Sequence, residues 1–538
     1  MVQMNGAQAL TRQLEAEGVD TVFALPGAQI MSAFDAMYEV IDEISLIQTR
    51  HEQATTYMAD GYAKVTGKPG VAMVVPGPGA LNAAAGLGTA YACSSPVLLI
   101  SGQIPSMFLG KNTGQLHEIS EQLDVFRPIT KWNHRVTSAG EIPSAVHEAF
   151  RQMTTGRPGP VELEIPPDIL SGSDDIALVG KETFPHPTPD MEDIAAAAIL
   201  ISKSQKPAII AGGGVVASGA HDQIRKLAEL LQAPVMTTPL AKGVIPERNH
   251  LATGVNSAIG PASMVLSDSD LLIAVGTRLS LRGVSPENMP TLVHIDVEKS
   301  QIGQKFTPEV GLVGDAAECL DNLISKIETS SIDKGQRSER AVSLKEEFSR
   351  EVSRLAPEQV SVIDKISSAL THDTIVVQGM TNIGYWSSEA LPMSEPRNYV
   401  SSSYFGTLGY VYPTALGSQA AFPDRPVVAL CGDGGFMYSP QELSTAVKYG
   451  LNTIALVFNN GAFGASRWDQ EHAFNGRYIG TDLHNPDFVM LAQSFGATGI
   501  RTDTDGIGEA ITKAMSANSP AVIDVEITNM MPPFQIVE

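Results

Sequence analysis

The segments Val427-Val428-Ala429-Leu430-Cys431-Gly432-Asp433-Gly434 and Thr453-Ile454-Ala455-Leu456-Val457-Phe458-Asn459-Asn460 each run from an apolar stretch into a polar landmark. Asp433 and Asn460 are 460 − 433 = 27 positions apart. Both landmarks fall where a strand should stop, and open α/β sheets bind ligands at the carboxyl ends of their strands. An acidic oxygen and an amide oxygen on two strand ends, with glycines alongside, suit a hard cation that holds a diphosphate.

The bulk numbers agree with a large α/β protein. At 538 residues, two to four domains are expected. With 43% apolar and 18% charged residues, the chain can bury a sizeable core. A formal charge of −23 argues against nucleic acid and anionic membrane surfaces as partners. No apolar run is long enough to span a bilayer, and Met1-Val2-Gln3-Met4-Asn5-Gly6 opens no secretion signal. Cys93, Cys319 and Cys431 are odd in number and far apart, so neither a disulfide framework nor a CxxC metal site is expected, and a cytoplasmic location is.

Short β-branched runs, glycines and helical patterns alternate along the chain, which predicts three doubly wound parallel-sheet domains. The expected domains are 1–175, 190–330 and 355–538, with Phe184-Pro185-His186-Pro187-Thr188-Pro189 as a linker. Ser330–Glu347 reads as a surface connection and helix. In the first domain, Leu10 and Leu14 share a helical face, Gly18 ends that helix in a left-handed turn, and Pro26-Gly27 turns the strand after Thr21. In the third, Ser439-Pro440-Gln441-Glu442 predicts a capping box.

Ser45–Gln48 reads as a strand, followed by Arg50-His51-Glu52 and a helix with Ala54, Met58, Ala59, Tyr62 and Ala63 on one apolar face. Taken alone, Glu52 is an acid favoured by the helix dipole. Val71–Val75 leads into Pro76-Gly77-Pro78-Gly79-Ala80-Leu81-Asn82, where glycines let backbone approach a ligand or simply make a turn. With Ala59-Asp60-Gly61-Tyr62-Ala63 and the Asp433/Asn460 pair, these stretches resemble the thiamin-diphosphate-dependent enzymes over essentially the whole chain. The resemblance is closest to the acetolactate synthase catalytic subunits, through Pro26-Gly27-Ala28, Arg50-His51-Glu52-Gln53, Gly102-Gln103-Ile104-Pro105 and Pro128-Ile129-Thr130-Lys131.

The resemblance implies thiamin diphosphate and Mg2+ as cofactors. Asp433, Asn460 and the Ala462 carbonyl would hold the metal. Thr381, Asn382, Gly432, Gly434, Gly435, Phe463 and Gly464 would line the diphosphate, and Pro76, Gly77 and Asn82 the pyrimidine. Glu52 would activate the pyrimidine ring, which requires a buried acid able to share a proton near neutral pH. Leu408 would prop the cofactor into a bent shape, and the Gly406 carbonyl would accept from its amino group. Gly27, Ala28, Gln115, His117, Arg467 and Trp468 are the candidates for the reacting centre. Arg467 could hold a carboxylate and Trp468 an acyl group, or the pair could be a surface arginine beside a packed tryptophan.

The implied reaction decarboxylates a 2-oxo acid such as pyruvate and joins the remainder to a second carbonyl. Two departures stand out: Gly114-Gln115-Leu116-His117-Glu118 replaces the synthases' Phe-Gln-Glu, and Arg467-Trp468 comes one residue early. Ala28, His117 and Lys131-Trp132-Asn133-His134-Arg135 also resemble thiamin lyases that cleave 2-hydroxy ketones, so a lyase remains open. So does a non-catalytic subunit, which the presence of Glu52 disfavours. In the central domain, Gly212-Gly213-Gly214, Asp296, Arg278 and Arg282 resemble the synthases' flavin region. Ser280, Leu281 and Val255-Asn256-Ser257 depart from it, leaving FAD, an adenosine nucleotide such as ADP, or an empty domain. The family's sites form across a two-fold interface, which implies a homodimer or homotetramer. Met530–Gln535 could fold over the site or be an ordered tail.

Overall fold

The structure, a computed structural model, describes residues 1–257, 259–281, 284–328 and 333–535. Arg282, Ser330 and the terminal Glu538 lie outside the described residues. Three six-stranded sheets, each wholly parallel and flanked by helices, build the chain. Beside them, β1 (Val2–Asn5) pairs antiparallel with β8 (Ser173–Ile176).

The first sheet contains β2 (Thr21–Ala24), β3 (Ser45–Gln48), β4 (Gly70–Val74), β5 (Val97–Gly102), β6 (Trp132–Arg135) and β7 (Val161–Ile165), in the order β3-β2-β4-β5-β7-β6. The second contains β9 (Pro207–Ala211), β10 (Val235–Thr237), β11 (Ala252–Val255), β12 (Leu271–Val275), β13 (Thr291–Asp296) and β14 (Val310–Val313). Its order, β11-β10-β9-β12-β13-β14, is that of a dinucleotide-binding sheet. The third contains β15 (Ile375–Gln378), β16 (Tyr399–Val400), β17 (Val427–Gly432), β18 (Ile454–Asn459), β19 (Thr498–Asp503) and β20 (Ala521–Glu526), ordered β16-β15-β17-β18-β20-β19. Counted within each sheet, the first and third share one order: second, first, third, fourth, sixth, fifth. The continuous apolar runs of β4, β5, β17 and β18 follow from burial on both sheet faces.

Helix Glu52–Thr66 departs from the one-sided pattern. Thr55, Thr56, Asp60 and Gly61 are buried along with its apolar face. It lies between its own sheet and helix Val411–Ala421 of the third, packed backbone to backbone. A Cβ on Gly61 would overlap the Thr414 carbonyl, and one on Gly417 would overlap the Met58 carbonyl. Small residues at the crossing therefore set the spacing of two sheets more than 300 positions apart in sequence.

The expected capping box does not form. Ser439 Oγ donates to the Gly409 carbonyl at 3.2 Å, leaving the short helix Pro440–Glu442 uncapped by side chains. Glu442 is fully buried and accepts the Arg50 N–H at 3.0 and 3.1 Å, so tertiary contact with the strand end before Glu52 wins over the local cap. Among the described residues no helix is long and apolar enough to cross a membrane.

Candidate active site

The third sheet assembles a cavity at the carboxyl ends of β17 and β18. Thr381, Asn382, Leu408, Gly432, Asp433, Gly434, Gly435, Asn460, Ala462, Phe463 and Gly464 all line it. Asp433 follows β17 directly and is 2% exposed. Its Oδ1 accepts the Gly434 N–H at 2.8 Å, and its Oδ2 accepts the Gly461 N–H at 2.8 Å and Asn485 Nδ2 at 2.7 Å. Burial pushes the carboxyl above the usual range, and these N–H donors pull it partly back. Asn460 Oδ1 accepts the Ala462 N–H at 3.2 Å, while its Nδ2 donates to Asn529 Oδ1 at 3.2 Å. Gly406 holds a left-handed φ of 58° next to the cavity wall residue Met380. Leu408 Cδ2 would lie 3.7 Å from a Cβ on Gly435, so the leucine faces the glycine turn after β17.

Sequence reasoning missed Asn485 and Asn529. Asn529 sits three residues beyond β20, whereas Asn460, which the sequence singled out, follows β18 directly. Asn485-Pro486 announces only a turn, and nothing in it tells where the amide points.

The first sheet gathers its own candidates at the ends of β3, β4 and β5. Glu52 begins its helix, half-buried, and its Oε2 accepts Asn82 Nδ2 at 3.0 Å. Gly77 adopts φ 58°, and a Cβ there would overlap the His117 carbonyl oxygen, so only glycine fits. Its N–H donates to Gln122 Oε1 at 2.9 Å. His117 is itself left-handed, at φ 69°, and its buried Nδ1 has no hydrogen-bond partner within the chain. Such an outlier is held by its surroundings, and both features mark the loop. Glu118 shapes that loop by accepting the Gly114 and Gln115 N–H groups at 2.6 and 2.8 Å. Gln29 Nε2 donates to the Leu116 carbonyl at 3.0 Å and so ties the Gly27-Ala28 turn to it.

One chain does not bring these halves into one cavity. Glu52, Pro76, Gly77, Asn82, Gly27, Ala28, Gln115 and His117 are absent from the lining of the Asp433 cavity. Arg467 and Trp468 lie outside it as well, on the half-buried helix Gly464–His472. Arg467 pairs with Asp482 and lies over the Tyr478 ring at 4.1 Å, and Trp468 stacks on His472 at 4.2 Å. In the tail, Ile527, Thr528 and Met530 wall the cavity, and the Met531 carbonyl accepts Trp386 Nε1 at 2.7 Å.

A second cavity opens between the three sheets, lined by Gly213, Gly214, Arg278, Asp296, Arg157 and Tyr404 among others. Arg278 lies over the Tyr404 ring at 4.5 Å. Arg157 donates to Ser94 Oγ at 2.8 Å, and its pKa is lowered by burial first and then by Arg278.

Three family models match in order: the thiamine pyrophosphate enzyme N-terminal TPP binding domain over 4–125, the central domain over 194–323, and the C-terminal TPP binding domain over 379–525. A probable acetolactate synthase large subunit of Methanocaldococcus jannaschii is 35% identical, covering 98% of this chain and 94% of the relative. The acetolactate synthase large subunit of Corynebacterium glutamicum is 36% identical, covering 97% and 86%. A probable 2-ketoarginine decarboxylase of Pseudomonas aeruginosa is 33% identical, covering 92% and 88%.

Proposed function

The chain belongs to the thiamine pyrophosphate enzyme family and is a thiamin-dependent carboligase or decarboxylase; from that premise we propose that it decarboxylates a 2-oxo acid such as pyruvate and ligates the remainder to a second carbonyl, as an acetolactate synthase does. The observation that carries this reading is the Asp433 cavity. Its carboxylate is buried among neutral N–H donors, and Asn460 and Ala462 line the same cavity. Among the described residues no cluster of three or more His, Cys, Asp or Glu forms, so a thiolate or imidazole site is not the alternative. A buried carboxylate with hard oxygen donors in the same cavity fits Mg2+. When bound, thiamin diphosphate supplies the electron sink for breaking and forming the C–C bond.

The chain's own residues divide the remaining work. Asp433, Asn460 and Ala462 would hold the cation, and Gly432, Gly434, Gly435, Phe463, Gly464, Thr381 and Asn382 would seat the diphosphate. Leu408 would support the cofactor, and Glu52 would share a proton with its pyrimidine. Glu52 is half-buried and lies outside the Asp433 cavity of its own chain. That supports a homodimer or homotetramer in which a second chain's Glu52 completes each site. Arg467 is engaged by Asp482, so holding a substrate carboxylate requires it to exchange partners.

The cavity between the sheets is read as an adenine nucleotide site, FAD or ADP. Its support is the sheet order together with two neighbouring guanidinium groups, Arg157 and Arg278, that suit a diphosphate. Mass analysis of ligand released from the purified protein separates the two. The three free cysteines suit a reducing cytoplasm.

Incubation with thiamin diphosphate, Mg2+ and pyruvate should release carbon dioxide and give acetolactate, read by mass spectrometry. Absence of both overturns the carboligase reading. The unpartnered His117 Nδ1 favours the lyase as second reading, and cleavage of an added acyloin to aldehydes, without carbon dioxide, would establish it.

A further inference from the structure

We propose that Asn529, in the segment after β20, is a positioning residue that turns the Asn460 amide so that its oxygen, and not its nitrogen, meets the cation. The inference rests on the reading of Asn460 as a cation ligand.

An amide can offer a cavity either its oxygen or its nitrogen, and its hydrogen-bond neighbours decide which. Here the choice can be traced from backbone groups, whose polarity is fixed. The Met530 carbonyl can only accept, and it takes Asn382 Nδ2. The same Nδ2 points at Asn529 from 3.4 Å, so the Asn529 atom facing it is the oxygen. Asn460 lies 3.2 Å from that oxygen and must present its nitrogen to it. Its own Oδ1 is thereby turned the other way, where it accepts the Ala462 N–H at 3.2 Å. That backbone donor agrees with the orientation but competes with a cation for the same oxygen. Asn529 holds the amide by its nitrogen and leaves the oxygen to the ion. Donation through the nitrogen also polarises the amide and strengthens its oxygen as a ligand.

Room for the contact is built into the chain. Gly464 opens the helix Gly464–His472, and a Cβ there would lie 2.5 Å from Asn529 Oδ1 and 2.7 Å from Asn460 Nδ2. Beyond Asn529, the Met531 carbonyl accepts Trp386 Nε1 at 2.7 Å and Gln359 Nε2 at 3.2 Å, which pins the segment. The C-terminal segment therefore belongs to the cation site, although Asn529 follows Asn460 by 69 positions.

Titration calorimetry of Mg2+ into the full-length protein with saturating thiamin diphosphate tests this. Asn529→Leu keeps the volume and removes the acceptor, and should weaken Mg2+ about tenfold. In an Asn460→Ala background the same substitution should change nothing, because the amide it orients is gone. Asn529→Asp keeps an acceptor for both N–H groups and should bind Mg2+ at least as tightly as the wild type. An unchanged affinity in Asn529→Leu overturns the proposal. So does a loss that persists in the Asn460→Ala background, or one that Asn529→Asp shares, since either marks a residue that only seats the segment. Wild-type affinity in Asn460→Ala alone, or no Mg2+ binding by the wild type, overturns the cation-ligand reading and this proposal together. Should Asn529→Leu not fold, Asn529→Ala, which removes the acceptor without adding apolar bulk, is read in the same way.

Discussion

The first and third sheets share a strand order and a buried device, yet they put different chemistry on top of it. In the first, Arg135 on the fifth strand pairs with Glu164 on the sixth, and Glu164 accepts from Gln122 at 3.2 Å. Gln122 reaches the Gly77 N–H after the third strand. In the third, Arg501 on the fifth strand donates to Asp524 on the sixth at 3.2 Å, and Asp524 accepts from Asn459. Asn485, from the connection equivalent to that of Gln122, reaches Asp433 after the third strand. Each arginine also clasps an acid beside its amide, Glu121 next to Gln122 and Asp487 near Asn485. The relay thus fixes a loop in both sheets. The residue in that loop decides what is bound: an uncharged glycine turn in one, a buried carboxylate in the other. Fold supplies position, and the site supplies function.

Exchanging or deleting the terminal groups should separate the two halves. Asp433→Ala should take turnover to background and abolish retention of thiamin diphosphate on gel filtration, because the clamp loses its one carboxylate. Glu52→Gln should leave retention of the cofactor intact while turnover falls about 10²- to 10³-fold, the scale of a single acid–base group. If Glu52→Gln also releases the cofactor, the two sheets are not divided as described. Gln122→Leu should cost about 1–3 kcal/mol in denaturant unfolding, since the buried Gly77 N–H loses its acceptor.

The smallest effect concerns pH. Burial, and then the neighbouring Glu164, hold the Glu162 carboxyl well above the usual range. An acid raised on folding stabilises fully below its unfolded value, and that contribution fades as pH rises through the folded value. Glu162→Gln should therefore flatten the decline in stability as pH rises above the ordinary carboxylate range, without altering the fold. Thermal unfolding followed against rising pH reads it.

Much of the third sheet was legible because its strands are apolar throughout and end in unmistakable polar residues. Asp433, Asn460 and the glycines could be placed at strand ends from pattern alone. The Ser439–Glu442 motif misled for a physical reason: a buried carboxylate finds more in the Arg50 backbone than in its own helix end. Asn485 and Asn529 could not be read, since their importance lies in which oxygen their amides reach. Glu52 was legible only through resemblance. An acid in a first helical turn is ordinary, and nothing local distinguishes Glu52 from one that only meets the helix dipole.

The Glu52 helix meets its packing partner late. Gln48, Arg50, Tyr57 and Lys64 bond to Tyr449, Glu442, Thr407 and Ser401, between 337 and 401 positions downstream. At about 5–20 residues per second, the ribosome delivers those partners roughly 20–80 s after the helix emerges. During biosynthesis the nascent first sheet must wait with its small-residue face bare, which makes this crossing the point where aggregation competes with maturation.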